Sequence, residues 1–140
     1  MYEKMKPLDI LNDLRARELA VIVQYMRHHY TAAGPEGLML ADEFKAASID
    51  EMKHAEELAE RIDFLGGDPT TKPEKIVSTS NKIKEMAAAD FAAEEDAIAR
   101  YKEAIAIFAG TDDVTTRKLL EDILGDEEDH LKTFGDMMGK

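Results

Sequence analysis

Apolar residues recur three and four positions apart over four long stretches, and glycine and proline interrupt that rhythm at Gly34-Pro35, Gly66-Gly67-Asp68-Pro69 and Gly110. A period near 3.6 in strong helix formers marks amphipathic helices. The pattern predicts four of them, over about residues 6–33, 38–65, 80–109 and 113–138. Pro7 suits a first helical turn, and Thr111 or Asp112 is placed to cap the last helix. Short links join the first helix to the second and the third to the fourth. A longer segment with Pro69, Pro73 and a Ser/Thr cluster at Ser78 to Ser80 separates the second from the third. Two antiparallel hairpins joined by one long crossover give an all-α four-helix bundle, with residues 1–140 as a single domain.

The face that each helix should bury can be read from the same spacing. The first helix presents Leu11, Leu14, Glu18, Val21 and Tyr25, and the second Leu40, Phe44, Ala47, Glu51, His54 and Leu58. The third presents Ala87, Phe91, Glu94, Ile98, Tyr101, Ile105 and Phe108, and the fourth Leu120, Ile123, Glu127, His130, Phe134 and Met137. A glutamate sits at mid-length on every one of these apolar seams, where an ionised carboxylate is costly unless something compensates it.

These charged positions form a repeat. Glu18, Glu51 and His54 recur as Glu94, Glu127 and His130, with the two glutamates of each copy 33 positions apart. A tyrosine follows the first glutamate by seven residues in both copies, at Tyr25 and Tyr101, which extends the duplication beyond the ligands and places a candidate phenol beside each set. One Glu-x-x-His is weak evidence in a chain this rich in glutamate; a duplicated set on bundle seams has the signature of a carboxylate-bridged di-iron centre. Four converging carboxylates need counter-charge, and two divalent cations supply it. The alternative is a structural cluster of protonated or mutually hydrogen-bonded side chains.

Composition narrows the chemistry. The chain has 140 residues and no cysteine, which excludes disulfides, thiolate zinc sites and cysteine-ligated clusters. Glu, Asp, His and Met remain as ligands, and oxygen-rich sets suit iron or manganese. A formal net charge of -12 without a basic cluster argues against binding DNA. No apolar run approaches a membrane span and no secretory leader is legible, so a cytoplasmic protein is expected.

The stretch from Ser48 to Ala55, containing Glu51, Met52 and His54, and the stretch from Asp126 to His130 resemble the helix motifs of the bacterioferritins, a branch of the ferritin-like superfamily. The resemblance runs from about residue 8 to residue 138. It implies a ferritin-like bundle in which Glu51 and Glu127 bridge two irons, Glu18 and His54 complete one coordination sphere, and Glu94 and His130 the other. It also implies ferroxidase and iron-storage activity: Fe(II) is oxidised by dioxygen or hydrogen peroxide and the product is kept in a homo-oligomeric shell, with a ferredoxin-type protein as a possible electron donor. Met52 stands where that family places an axial ligand to a haem shared across a two-fold dimer. Helical geometry points Met52 away from the glutamates, beside Leu19, Ile22, Val23, Met26 and Ile49, and dimer packing alone would also use such a stripe. His28 and His29 read as solvated, and Asp50 as a surface or cavity-facing residue.

The sequence departs from that family's pattern in three ways. It stops as the fourth helix ends, without the short fifth helix, so a short form assembling as a dodecamer is expected in preference to a 24-mer. Ala46 stands where many relatives have a cavity-facing histidine. Tyr101 gives a partial likeness to the rubrerythrins, which reduce peroxide, but Ala97 replaces their extra carboxylate. A peroxidase of that kind and a non-catalytic haem- or metal-binding scaffold are the alternatives.

Overall fold

The computed structural model describes residues 1–77 and 80–140. Ser78 and Thr79, from the expected Ser/Thr cluster, lie outside the described residues. Four helices account for the architecture: α1 (Pro7–Thr31), α2 (Gly34–Phe64), α3 (Ile83–Ala109) and α4 (Val114–Met137). No strand occurs among the described residues. The helices pair as hairpins, α1 with α2 and α3 with α4, and the two hairpins meet through α1–α3 and α2–α4.

Local chemistry explains the ends. Pro7 opens α1 and Pro35 lies in the first turn of α2, where a missing N–H costs nothing. The second helix therefore starts at Gly34 and not near residue 38, because Gly34-Pro35 begins the helix and does not break it. The preceding turn is tight. Gly34 has a φ of +77°, and a Cβ on Gly37 would lie 2.6 Å from the carbonyl carbon of Ala32. At the other link the cap is Asp113, not Thr111 or Asp112: its carboxylate accepts from the Thr116 backbone N–H at 3.0 Å and from Arg61 at 2.8 Å.

The core is divided lengthwise. One apolar cluster, built on Tyr2, Leu11, Leu14, Leu58, Phe108 and Ile123, fills one end of the bundle. A second, built on Val21, Tyr25, Phe44, Met86 and Phe134, fills the other. The four glutamates occupy the layer between them and are fully buried. On α3 the buried line runs through Ala87, Asp90, Glu94, Ala97, Tyr101, Ala104 and Phe108, while Phe91, Ile98 and Ile105 are only half-buried. Ala97 and Ala104 face the bundle axis in line with Tyr101 and Phe108, and Phe91, Ile98 and Ile105 flank it.

The crossover is pinned to α1. Asn12 donates to the Asp68 carbonyl at 3.0 Å and accepts from the Thr70 N–H at 2.8 Å. Farther along, the Glu74 N–H donates to the Ala16 carbonyl at 3.0 Å. Arg100 on α3 grips the Glu74 carboxylate with both terminal nitrogens, at 2.8 and 3.0 Å. The segment therefore ties the two hairpins together beside the polar layer. No helix among the described residues is long and apolar enough to cross a membrane.

Candidate metal centre

Each helix contributes a glutamate from its middle, and α2 and α4 each add a histidine one turn on, so six side chains converge between the two apolar clusters. Their ligand atoms fall into two overlapping groups, Glu18–Glu51–His54–Glu127 and Glu51–Glu94–Glu127–His130, with the chosen atoms of each group within 4.8 Å of one another. Glu51 and Glu127 belong to both. The histidines turn Nδ1 inward: His54 Nδ1 lies 2.9 Å from Glu51 and 3.4 Å from Glu127, and His130 Nδ1 lies 3.4 Å from Glu127 and 3.5 Å from Glu94.

Partners around this centre cross between the hairpins. Tyr25 on α1 donates to Glu94 on α3 at 2.8 Å, and Tyr101 on α3 donates to Glu18 on α1 at 2.9 Å. Burial first, and then the adjacent carboxylates, hold both phenols well above their usual pKa, so they remain neutral donors. The outward nitrogens of the histidines are held in the same crossed fashion. His54 Nε2 meets Asp126 of α4 at 2.8 Å, and His130 Nε2 meets Asp50 of α2 at 3.0 Å. A carboxylate behind an imidazole fixes the ring and leaves the other nitrogen for a metal. Asp50 is therefore a site residue and not merely a surface one. The signal for this pair is in the sequence, since Asp-Glu-x-x-His occurs twice.

Sequence reasoning missed Arg17 altogether. It is 2% exposed, at the centre of the site. Its Nη1 lies 2.5 Å from Glu127, 2.6 Å from Glu51 and 3.0 Å from Glu18, while Nη2 lies 3.2 Å from Glu94 and donates to the Ala93 carbonyl at 3.1 Å. It belongs to a second buried line on α1, Leu14–Arg17–Val21–Gln24–His28, beside the seam that carries Glu18.

Protonation follows from this crowding. Burial, and then repulsion from Glu127 and from Glu18 respectively, raises the carboxyl groups of Glu18 and Glu51. Burial would raise Glu127 too, but Arg17, His130 and His54 hold it well below the usual carboxylate range. Burial alone would lower the His130 imidazole, yet Glu127 and Glu94 push it up to about 12, and His54 is raised in the same way.

His28 corrects the expectation of a solvated residue. It is buried, with Nδ1 2.6 Å from Asp90, whose other oxygen accepts from Gln24 at 2.7 Å. His29 is half-buried, and its Nδ1 lies 2.8 Å from the Ala41 carbonyl. Met52 points outward as the helical angle requires; it is 52% exposed, with Val23 exposed on the same flank.

The donor set fits metal. Glu18 Oε2, Glu94 Oε2, Glu127 Oε1 and His130 Nδ1 are buried and lack a hydrogen-bond partner, and an unsatisfied buried polar atom is expensive. Carboxylate oxygens with two imidazoles are what iron or manganese takes. A cavity of about 190 Å³ reaches His130 between α2 and α4, past Glu43, Ala46, Asp50 and Asp129.

Fold and site together define a four-helix bundle whose buried carboxylates and histidines could hold a metal, and comparison with known proteins places it further. The ferritin-like domain model matches residues 8–140. Bacterioferritin from Desulfovibrio desulfuricans is 38% identical over 131 residues, covering 94% of this chain and 73% of that protein. Bacterioferritin from Brucella melitensis is 33% identical, covering 100% of this chain and 89% of that protein. A crystal structure of the Desulfovibrio desulfuricans protein, which describes its diiron site in different catalytic states, superposes with a TM-score of 0.90 at 36% identity, covering 96% of this chain and 78% of the other. The chain belongs to the ferritin-like family and, within it, to the bacterioferritins.

Proposed function

We propose that this protein is a ferroxidase that oxidises Fe(II) at the centre formed by Glu18, Glu51, His54, Glu94, Glu127 and His130, and stores the ferric product. The observation that carries this reading is the pair of overlapping ligand groups sharing Glu51 and Glu127. Two Fe(II) ions supply the two electrons that reduce dioxygen to peroxide, or peroxide to water, with protons drawn from solvent. The chain's own part is to hold both ions in one buried layer and to fix the imidazoles through Asp50 and Asp126. Carboxylate-rich coordination favours the ferric state. Tyr25 and Tyr101 steady the terminal glutamates with hydrogen bonds. The acidic approach at Glu43, Asp50 and Asp129 suits entry of a cation.

Kinship to the bacterioferritins supports a homo-oligomeric shell, for which we keep a dodecamer as the working assembly. The cysteine-free, acidic composition agrees with a cytoplasmic protein that leaves DNA alone. The peroxidase reading has less support, because Ala97 is fully buried where an additional carboxylate would have to stand.

Stepwise addition of Fe(II) to metal-free protein in air, followed by ferric absorbance, tests the reading. A fast phase that breaks at about two irons per chain is expected. A slow, featureless rise without a break would sink it.

Haem binding is a separate proposal. Exposed Met52 and Val23, with the half-buried Leu19, Ile22, Met26 and Ile49 beside them, make an apolar outer flank on α1 and α2. A thioether on such a face suits an axial ligand to a haem held between two copies, where it would supply a route for electrons. Haem added to the protein should give a low-spin absorption spectrum that Met52→Ala removes. An unchanged spectrum in the variant would assign Met52 to packing.

A further inference from the structure

The duplicated motif accounts for every residue of the centre except Arg17. The corresponding position of the second copy, immediately before Glu94, is Ala93. Only one hairpin therefore supplies a guanidinium, and it crosses the centre to reach the Ala93 carbonyl and Glu94.

We propose that Arg17 is a tethered counter-cation: its guanidinium occupies the four-glutamate centre when metal is absent, and metal loading displaces it. This rests on the metal reading above. The argument begins with charge. Arginine stays protonated in any protein environment, and its planar fork can meet several carboxylates at once. Without it, four glutamates would face one another with only His54 and His130 as counter-charge, in a layer bounded by apolar clusters at both ends, and a buried carboxylate lacking compensation is strongly destabilising. Arg17 instead contacts all four.

Space makes guanidinium and metal exclusive. Nη1 sits within hydrogen-bonding distance of Glu18, Glu51 and Glu127, which are three of the four members of one ligand group. A transition metal binds carboxylate oxygen at about 2.0–2.2 Å, so it would have to take the volume that Nη1 fills and would repel its charge. The displaced side chain has somewhere to go. Arg17 also borders a cavity of about 280 Å³ between α1, α3 and the crossover, walled by Ala20 and Ala92 and carrying the carboxylates of Glu74 and Asp96. Both acids already pair with Arg100 and Lys75 shares the cavity wall, so a displaced guanidinium would join that ionic cluster and share its carboxylates outside the centre.

Zinc, which cannot be oxidised, separates this proposal from catalysis. In metal-free protein, the Arg17 side-chain N–H resonances should be slowed in exchange by burial; on titration with Zn(II) they should leave that position in step with occupancy. Arg17→Met should bind Zn(II) at least about tenfold more tightly, because the competing state is removed. Its metal-free form should melt below the wild type and its zinc form near it. Two zinc ions bound with the Arg17 resonances unmoved, or Arg17→Met binding no more tightly than wild type, would overturn the proposal while leaving the metal site intact. Zinc bound by neither protein would overturn the metal reading and the proposal with it. If Arg17→Met fails to fold, the wild-type titration still decides.

Discussion

Alanine at Glu51 or Glu127 is expected to abolish fast iron oxidation, whereas alanine at Glu18 or Glu94 is expected to reduce tight iron binding from about two ions per chain to about one. The difference comes from the overlap of the ligand groups. Glu51 and Glu127 serve both, so their loss leaves neither group with its four members; Glu18 and Glu94 each serve one. We expect the rate to fall by more than about 100-fold for the shared pair, beyond the ~10–100-fold typical of residues that only orient a ligand. Asp50→Ala and Asp126→Ala belong to that milder class, because each acts through the histidine of the opposite hairpin. Stopped-flow ferric absorbance with bound-iron counts separates the cases. Equal losses for all four glutamates would mean that the two groups do not act as distinct positions.

The second large effect concerns pH. Metal-free protein should melt at a higher temperature at pH 5.5 than at pH 9, and metal loading should reverse that order. His54 and His130 have folded-state pKa values raised above 6.5, the latter to about 12. The stability they contribute is fully present below the unfolded value and is lost as pH rises through the folded one. Glu18 and Glu51, also raised, act in the same direction: the folded chain holds their protons more tightly, so stability declines as pH climbs from 4.5 through the raised values. Glu127 has the opposite sign, but its contribution is lost only as pH falls through its lowered pKa, outside this window. Metal inverts the order because ligating imidazoles must be neutral and carboxylates ionised, so binding releases protons and strengthens with pH. Calorimetric melts of chelator-treated and Co(II)-loaded protein should show shifts of about 5 °C or more in opposite directions. A metal-free melting temperature that does not vary with pH would mean that the buried groups do not titrate on unfolding.

Much of this was readable from the sequence because an ionisable residue in the middle of an apolar seam stands out. Six such residues, in two equal spacings, named themselves, and the structure gathers all of them into one layer. Arg17 was hidden for the converse reason. It adjoins the seam, and an arginine there reads as flank until α1 is seen to bury two parallel lines, the second carrying Gln24 and His28 as well. Asp50 reads as a surface or cavity-facing residue and Asp126 only as part of a motif, because exposed aspartates on helices are ordinary; their contacts with the histidines of the opposite hairpin give the repeated Asp-Glu-x-x-His its meaning. On α3 the large side chains drew the seam through Phe91 and Ile98, although Ala97 and Ala104 face the axis.

Glu18, Glu51 and His54 come from the first hairpin, and Glu94, Glu127 and His130 from the second, while each tyrosine and each supporting aspartate reaches over to the opposite half. Neither hairpin on its own holds a complete ligand set, so the centre comes into existence only when the two halves dock. Filling it therefore holds the two halves to each other as well as tying the helices within each half.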